Sequence, residues 1–274
     1  MSDHRNQVIA SYSELASKYD DAGNLHSCWT VHSDHIVESL SLKSNFQTVA
    51  EVGCGTGRAL FRMASRGRPS VRFIGVEPAE EMRRRALVLT RDLPSVRILD
   101  GAFESLPLEP ASVDYMFSID ALHWVSNPHL AVEEMARVIK PSGEMDHFFN
   151  GRNIGCEFIR ATTPVYLKYM RLRYLVEAAR LRHRFTKDEA LALFGETFGP
   201  DRVRVDEIYR TYYDTVEGHL GWWVRIQAQL LTIPAERRSE CEREIRAALA
   251  ALETDRGVPY TIHQLHVQVR PRKG

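Results

Sequence analysis

The residues with the clearest chemical potential lie in Glu51-Val-Gly53-Cys-Gly55-Thr-Gly57, a GxGxG run at the junction of a strand-like and a helix-like segment. Glycines at such a junction let the backbone turn tightly and approach a ligand closely. Glu77 ends the next strand-like run, 20 residues after Gly57, where a carboxylate can accept both hydroxyls of a ribose. The pattern therefore points to a nucleoside-containing ligand. A dinucleotide would want its pyrophosphate at the helix N-terminus, and this loop offers only Arg58 there. NAD is the competing ligand, and a tight turn with no ligand is the plain alternative.

The elements around these residues alternate. Helical spacing covers 5–18 and 29–42, and a short buried-strand run at 48–52 stops at the glycines. Helix 58–66, strand 71–76, helix 79–89, strands 96–99 and 113–118, helix 130–139, a turn at 140–143 and strand 144–149 follow. This rhythm predicts an α/β fold with a doubly wound parallel sheet. After residue 150 the segments 154–183, 186–198, 215–231 and 235–253 read as helices, and 202–209 and 260–269 as strands. The two late strands would form an antiparallel edge, making a mostly parallel seven-stranded sheet with a helical cap over the carboxyl ends of the strands. The chain thus divides into a helical lid (1–45), a ligand-binding core (46–150) and cap insertions with the last two strands (151–274), all in one compact domain.

Taken in order, the glycine run, Glu77, Gly101-Ala-Phe-Glu-Ser-Leu-Pro107, Asp120-Ala-Leu-His-Trp-Val125 and Lys140-Pro-Ser-Gly143 resemble the class I S-adenosylmethionine (SAM) dependent methyltransferases. The resemblance covers about residues 12–145 and is greatest to the small-molecule branch that includes ubiquinone/menaquinone-type, trans-aconitate-type and juvenile-hormone-acid-type enzymes. It implies the Rossmann-like methyltransferase fold and a SAM cofactor, with S-adenosylhomocysteine as product. By the same resemblance Glu51, Gly53, Gly55 and Gly57 shape the pocket for the methionine moiety. Glu77 and the adjoining Pro78 meet the ribose, Met82 packs beneath the adenine or simply in the core, and Ala102, Phe103, Glu104 and Ser118 complete the cofactor site. Where many members carry an Asp that accepts from the adenine amine, this chain has Ala102, so the backbone of Ala102–Phe103 or Asp100 takes that place.

On the acceptor side the resemblance puts His123-Trp124 where methyl group and acceptor meet. Imidazole titrates near neutrality, so His123 is a candidate general base or hydrogen-bonding group; capping a helix is its structural alternative. Tyr19, in the lid with Tyr12, is the second catalytic candidate, contacting SAM or acceptor. Trp124, Phe149, Asn150 and Tyr169 are candidate substrate contacts, and Asn153, Tyr166, Tyr174, Trp222 and Trp223 could extend an apolar acceptor pocket, although buried aromatics are more often core. The basic stretch Arg171, Arg173, Arg180, Arg182 and Arg184 reads first as a solvated helix face.

Composition limits the partners. In 274 residues, 36 basic side chains balance 36 acidic ones, so no global field draws the chain to nucleic acid or an anionic membrane. No apolar run reaches the ~20 residues of a membrane span, and the polar N-terminus lacks the pattern of a secretory leader. The four cysteines show neither CxxC pairing nor metal-ligand spacing, which predicts no metal and a reduced, cytoplasmic setting. The lid helix has two destinations, its own domain or a neighbouring copy in a homo-oligomer. The expected activity is SN2 methyl transfer to a small, largely apolar acceptor, a specialised metabolite. The aromatic cap leans slightly toward C-methylation, for instance of a prenyl group, and actinobacterial prenyl C-methyltransferases of the teleocidin type fit the length and the preference for Arg, 30 of the 36 basic residues. Carboxyl or hydroxyl O-methylation is the near alternative, and a SAM-binding protein without turnover the remoter one.

Overall fold

The computed structural model describes residues 2–152, 156–170, 184–226 and 233–271. Three helices open the chain: α1 (Ser2–Tyr19), α2 (Ala22–Leu25) and α3 (Cys28–Ser39). The last two start where side chains satisfy orphan amides, Asp21 capping α2 and Ser27 capping α3. Then come β1 (Thr48–Val52), α4 (Arg58–Arg66), β2 (Arg72–Val76), α5 (Glu80–Thr90), β3 (Val96–Leu99), β4 (Val113–Ile119), α6 (Pro128–Val138) and β5 (Ile139–Asn150). The second half holds α7 (Glu157–Tyr169), α8 (Lys187–Phe198), β6 (Val203–Asp214), α9 (Val216–Ile226), α10 (Arg238–Ala250) and β7 (Val258–Val269).

The strands form one seven-stranded sheet in the order β3-β2-β1-β4-β5-β7-β6. Neighbours among the first five pair in parallel, whereas β7 runs antiparallel to both β5 and β6. Every residue of β1 is buried, as a central strand covered by helices on both faces requires. One core cluster joins β4, β5 and β7 to α6 and α8, and another packs α3 and α4 against the opposite face of β1, β2 and β4. A third, rich in aromatics, joins α7, α9 and α10 to β7. Fully burying a Phe or Leu in such clusters contributes roughly 1.5–3 kcal/mol each.

Three strands differ from the sequence-based expectation. The Pro-Ser-Gly run at 141–143 does not end before β5 but bulges within it: Val113 pairs with Ile139 and Tyr115 with Glu144, so the extra residues are accommodated at the entry of the strand. β6 and β7 are also longer than 202–209 and 260–269, because they pair without interruption from Val203↔Val269 to Asp214↔Val258. Asn153, Tyr174 and the arginines at 171, 173, 180 and 182 lie outside the described residues, as does the side chain of Trp223.

Candidate active site

The carboxyl ends of β1, β2, β4 and β5 converge on one edge of the sheet, delivering the glycine loop, Glu77, Asp120 and Asn150 to the same place. The amides of Gly53 and Cys54 both donate to the Val76 carbonyl, at 2.8 and 3.1 Å, which clamps the loop over β2. Gly53, Gly55 and Gly57 all have positive φ, the region only glycine enters freely. Their surroundings differ. A Cβ at Gly53 would meet the Ala121 Cβ at 2.4 Å and one at Gly57 the Ala86 Cβ at 2.9 Å, whereas a Cβ at Gly55 would project into open space.

Glu77 is 7 % exposed and accepts the Gly55 amide through Oε2 at 2.9 Å and the Ala79 amide through Oε1 at 2.8 Å. Each oxygen keeps a second lone pair for a ligand hydroxyl. Burial pushes the Glu77 carboxyl above its ordinary pKa, and these two amides together with Arg83 pull it back. Glu51 is buried at the floor, its pKa raised well above normal by burial, and its Oε2 has no hydrogen-bond partner among the described residues.

These groups line a cavity of about 280 Å³. Its roof is the N-terminal segment. The Tyr12 ring meets Trp124 edge-on at 5.7 Å and Tyr19 at 6.2 Å. Just beyond α1, the Asp20 carboxylate accepts the Thr56 hydroxyl at 2.9 Å, pinning the lid to the glycine loop. Trp29 and Trp222, edge-to-face at 6.4 Å, form another part of the wall. Among the described lining residues, six bear carboxyl groups (Asp20, Asp34, Glu51, Glu77, Glu104 and Asp120) against one cation, Arg58, whose guanidinium is bound by Asp34. Such a wall suits a cationic ligand and opposes a phosphorylated one. The sulfonium and ammonium of SAM meet that demand. The buried Glu51 oxygen and the space over Gly55 provide the fit at the loop.

Of the sequence-predicted site residues, Tyr19, Glu51, Gly53, Gly55, Glu77, Pro78, Met82, Ala102, Phe103, Glu104, His123, Trp124 and Asn150 line this cavity. His123 and Asn150 approach each other there, Nε2 to Nδ2 at 3.4 Å. Met82 lines the cavity and also packs with Ala16 and Ala79 beneath α1. The Ala102 amide and carbonyl close a turn with Ser105, which commits its backbone to the loop itself. Glu104 accepts from the Ser126 amide and hydroxyl, at 2.7 and 2.8 Å, and so staples two cavity-lining loops together.

Four expectations are corrected. Gly57 is the N-cap of α4 and packs on Ala86 of α5, which makes it a packing glycine. Ser118 is fully buried within β4 and absent from the cavity lining. Phe149 points into the core, edge-on to Phe185 at 5.9 Å. Tyr169 belongs to the third cluster, where its hydroxyl donates to Glu244 at 2.7 Å and Arg237 covers its ring.

The conspicuous residue that sequence reasoning passed over is Asp120. It directly follows β4, lines the cavity and holds a φ of +56°, rare for a side-chain-bearing residue. Burial pushes its carboxyl up to about 7, against the lowering effect of a 2.7 Å hydrogen bond from Gln264 Nε2. The available signal was an acid at the carboxyl end of a central strand, beside His123-Trp124.

Residues 50–145 match the family described as a methyltransferase domain. An uncharacterized methyltransferase of Mycobacterium tuberculosis is 35% identical over 112 residues, 41% of this chain and 43% of that protein, so the chain spans less than half of that relative. The demethylmenaquinone methyltransferase of Staphylococcus saprophyticus is 24% identical over 75% of this chain and 86% of its own length. In fold, the crystal structure of a putative methyltransferase from Bacillus halodurans superposes with a TM-score of 0.60 at 17% identity, covering 89% of this chain and 100% of that one. The methyltransferase domain at residues 50–145 and the seven-stranded sheet together support a class I SAM-dependent methyltransferase.

Proposed function

We propose that this protein transfers a methyl group from SAM to a small, uncharged, largely apolar organic acceptor. The single observation that carries the reading is the composition of one cavity: a carboxylate-rich glycine-loop end, an aromatic end, and no cation other than the paired Arg58 among its described lining residues. In this reading Glu77 holds the ribose, while Glu51 and the Gly53–Gly55 backbone face the methionine moiety. Phe103 and Met82 flank the adenine. When bound, SAM supplies an activated methyl on a sulfonium. The chain positions the acceptor's nucleophile in line with it and excludes water, and positioning of this kind supplies up to ~7–11 kcal/mol in favourable cases.

The Tyr12, Trp29, Trp124 and Trp222 rings support an apolar acceptor body. Their faces would also stabilise a developing carbocation, as methylation of an alkene carbon requires. Asp120 favours an acceptor with a hydroxyl. A carboxylate acceptor fits least, since an anion entering this cavity would lack a free counter-charge. The demethylmenaquinone methyltransferase relative supports the small-molecule class.

The test is incubation of the protein with methyl-labelled SAM and a panel of apolar alcohols, phenols, prenyl alcohols and carboxylic acids. Label in a neutral phenol, alcohol or prenyl product, with equimolar S-adenosylhomocysteine, is the expected result. Label confined to the acids would overturn the uncharged-acceptor reading.

A further inference from the structure

A hydrogen-bonded chain runs from the cavity outward to the edge strand β6. Gln264 Nε2 donates to Asp120 Oδ1 at 2.7 Å, and Gln264 Oε1 lies 2.9 Å from His32 Nε2. His32 Nδ1 in turn lies 2.9 Å from the Tyr212 hydroxyl, which His35 Nδ1 approaches at 3.3 Å. The directions are fixed by chemistry. Because the Gln264 amide oxygen can only accept, His32 Nε2 must carry the hydrogen, and a neutral His32 then accepts from Tyr212 through Nδ1. Burial keeps His32 neutral, pushing it down to about 4. Gln264 and His32 are 0 % and 1 % exposed, so the chain is a built part of the interior. It joins β7, α3 and β6 to the segment that follows β4, and ends on a carboxylate held in a left-handed conformation. Strain of this kind persists where the surroundings over-determine it, commonly at functional sites.

Resting on the methyltransferase reading, we propose that Asp120 is the catalytic residue that receives the acceptor's proton, and that Gln264, His32 and Tyr212 are positioning residues that fix its carboxylate. The acceptor is then a hydroxyl compound. Its oxygen forms the bond to the methyl carbon as the carbon–sulfur bond breaks, with that electron pair remaining on the sulfur of S-adenosylhomocysteine. The hydroxyl proton passes to the Asp120 carboxylate and is released to water when the products leave. Gln264 occupies Oδ1, so Oδ2 serves the acceptor. His123, paired with Asn150, orients the acceptor.

The titratable groups coupled to Asp120 are Tyr19 from α1 and Tyr212 from β6, and Glu77 beyond β2 and His123 after β4 share its cavity. Tyr19 stays protonated because burial pushes its phenol well above normal, with Tyr12 and Asp120 adding to the effect. Arg210 acts on Tyr212 at the outer end of the chain. Asp120 itself sits at about 7 through burial, so its carboxylate form emerges across neutral pH.

The experiment uses 2-naphthol and naphthalene as probes, with binding read from the tryptophan fluorescence of protein saturated with S-adenosylhomocysteine. In wild type, the preference for 2-naphthol over naphthalene should grow about fivefold between about pH 5.5 and about pH 8, since a hydrogen bond to a charged acceptor is roughly twice as strong as a neutral one. Asp120→Asn, whose side chain also tolerates the left-handed conformation, should abolish the growth. Gln264→Leu should raise the midpoint by removing a bond to the charged form, and Tyr212→Phe should raise it less. A preference that ignores pH in wild type overturns the proposal, as does one that is unchanged in Asp120→Asn. Failure of both probes to bind a protein that takes up S-adenosylhomocysteine overturns it too. Failure to take up S-adenosylhomocysteine instead sinks the methyltransferase reading beneath it.

Discussion

Gly53 and Ala121 are packed so closely that a Cβ on the glycine would sit 2.4 Å from the Cβ of the alanine. The loop after β1 and the segment after β4 therefore hold one another in place, and the cavity between them is set by backbone. The neighbouring glycine behaves differently. Gly53→Ala should lose stability twice over, by about 1–2 kcal/mol for its positive φ and about 1–3 kcal/mol for overpacking. Gly55→Ala has only the first cost, yet its methyl group enters the ligand space and should weaken S-adenosylhomocysteine binding at least about tenfold. Chemical denaturation and calorimetric titration of both variants separate the effects. Equal stability losses would contradict the geometry.

Glu77 organises the site through two backbone amides. In Glu77→Gln one amide would face a side-chain NH₂ group, and a charge-assisted acceptor for the ribose is lost. We expect binding of S-adenosylhomocysteine to fall about ten- to a hundredfold, in line with about 1.5–3 kcal/mol for a hydrogen bond to a charged group. Unchanged affinity would show that the ribose lies elsewhere.

The Tyr12–Trp124 contact makes α1 a lid over the cavity. Tyr12→Ala removes an aromatic pair worth about 0.5–1.5 kcal/mol beyond its buried area. Release of S-adenosylhomocysteine, followed by stopped-flow tryptophan fluorescence, should accelerate several-fold. An unaltered release rate would mean that α1 does not close over the ligand.

The buried histidines contribute to the acid sensitivity of the fold. Burial drives His147 down to about 3 and His32 to about 4. Below the unfolded-state value near 6.5, the unfolded chain takes up protons that these native rings refuse. Stability is therefore lost as pH falls from about 6.5 toward 3–4. Both His147 nitrogens are buried with no partner among the described residues, so leucine can replace the ring without breaking a hydrogen bond. His147→Leu should recover about 2 kcal/mol of that loss at pH 5, at ~1.4 kcal/mol per pH unit. Thermal denaturation at pH 5 and pH 7.5 tests it, and an identical acid sensitivity in variant and wild type would refute the assignment.

The glycine-loop half of the cavity was legible in the sequence because its logic is local. A strand, a glycine turn and an acid at the end of the next strand fix Glu51, Gly53, Gly55 and Glu77 through chain geometry alone. The aromatic half was not. Asp120 is distinguished by Gln264, 144 residues away, and Trp29 on α3 meets Trp222 on α9 only in the folded chain. Tyr169 misled for the same reason, since an aromatic on a cap helix faces cavity or core depending on partners such as Glu244. Residues 140–143 carried turn chemistry, but the pairing of Ile139 with Val113 absorbed them as a bulge.

The central claim is that the glycine loop and Glu77 form a SAM site. Isothermal titration of the purified protein with S-adenosylhomocysteine, and separately with NAD, tests it most directly. The account requires saturable one-to-one binding of S-adenosylhomocysteine, weakened in Glu77→Ala, and no heat from NAD beyond dilution. Binding of NAD, or of neither compound, would contradict it.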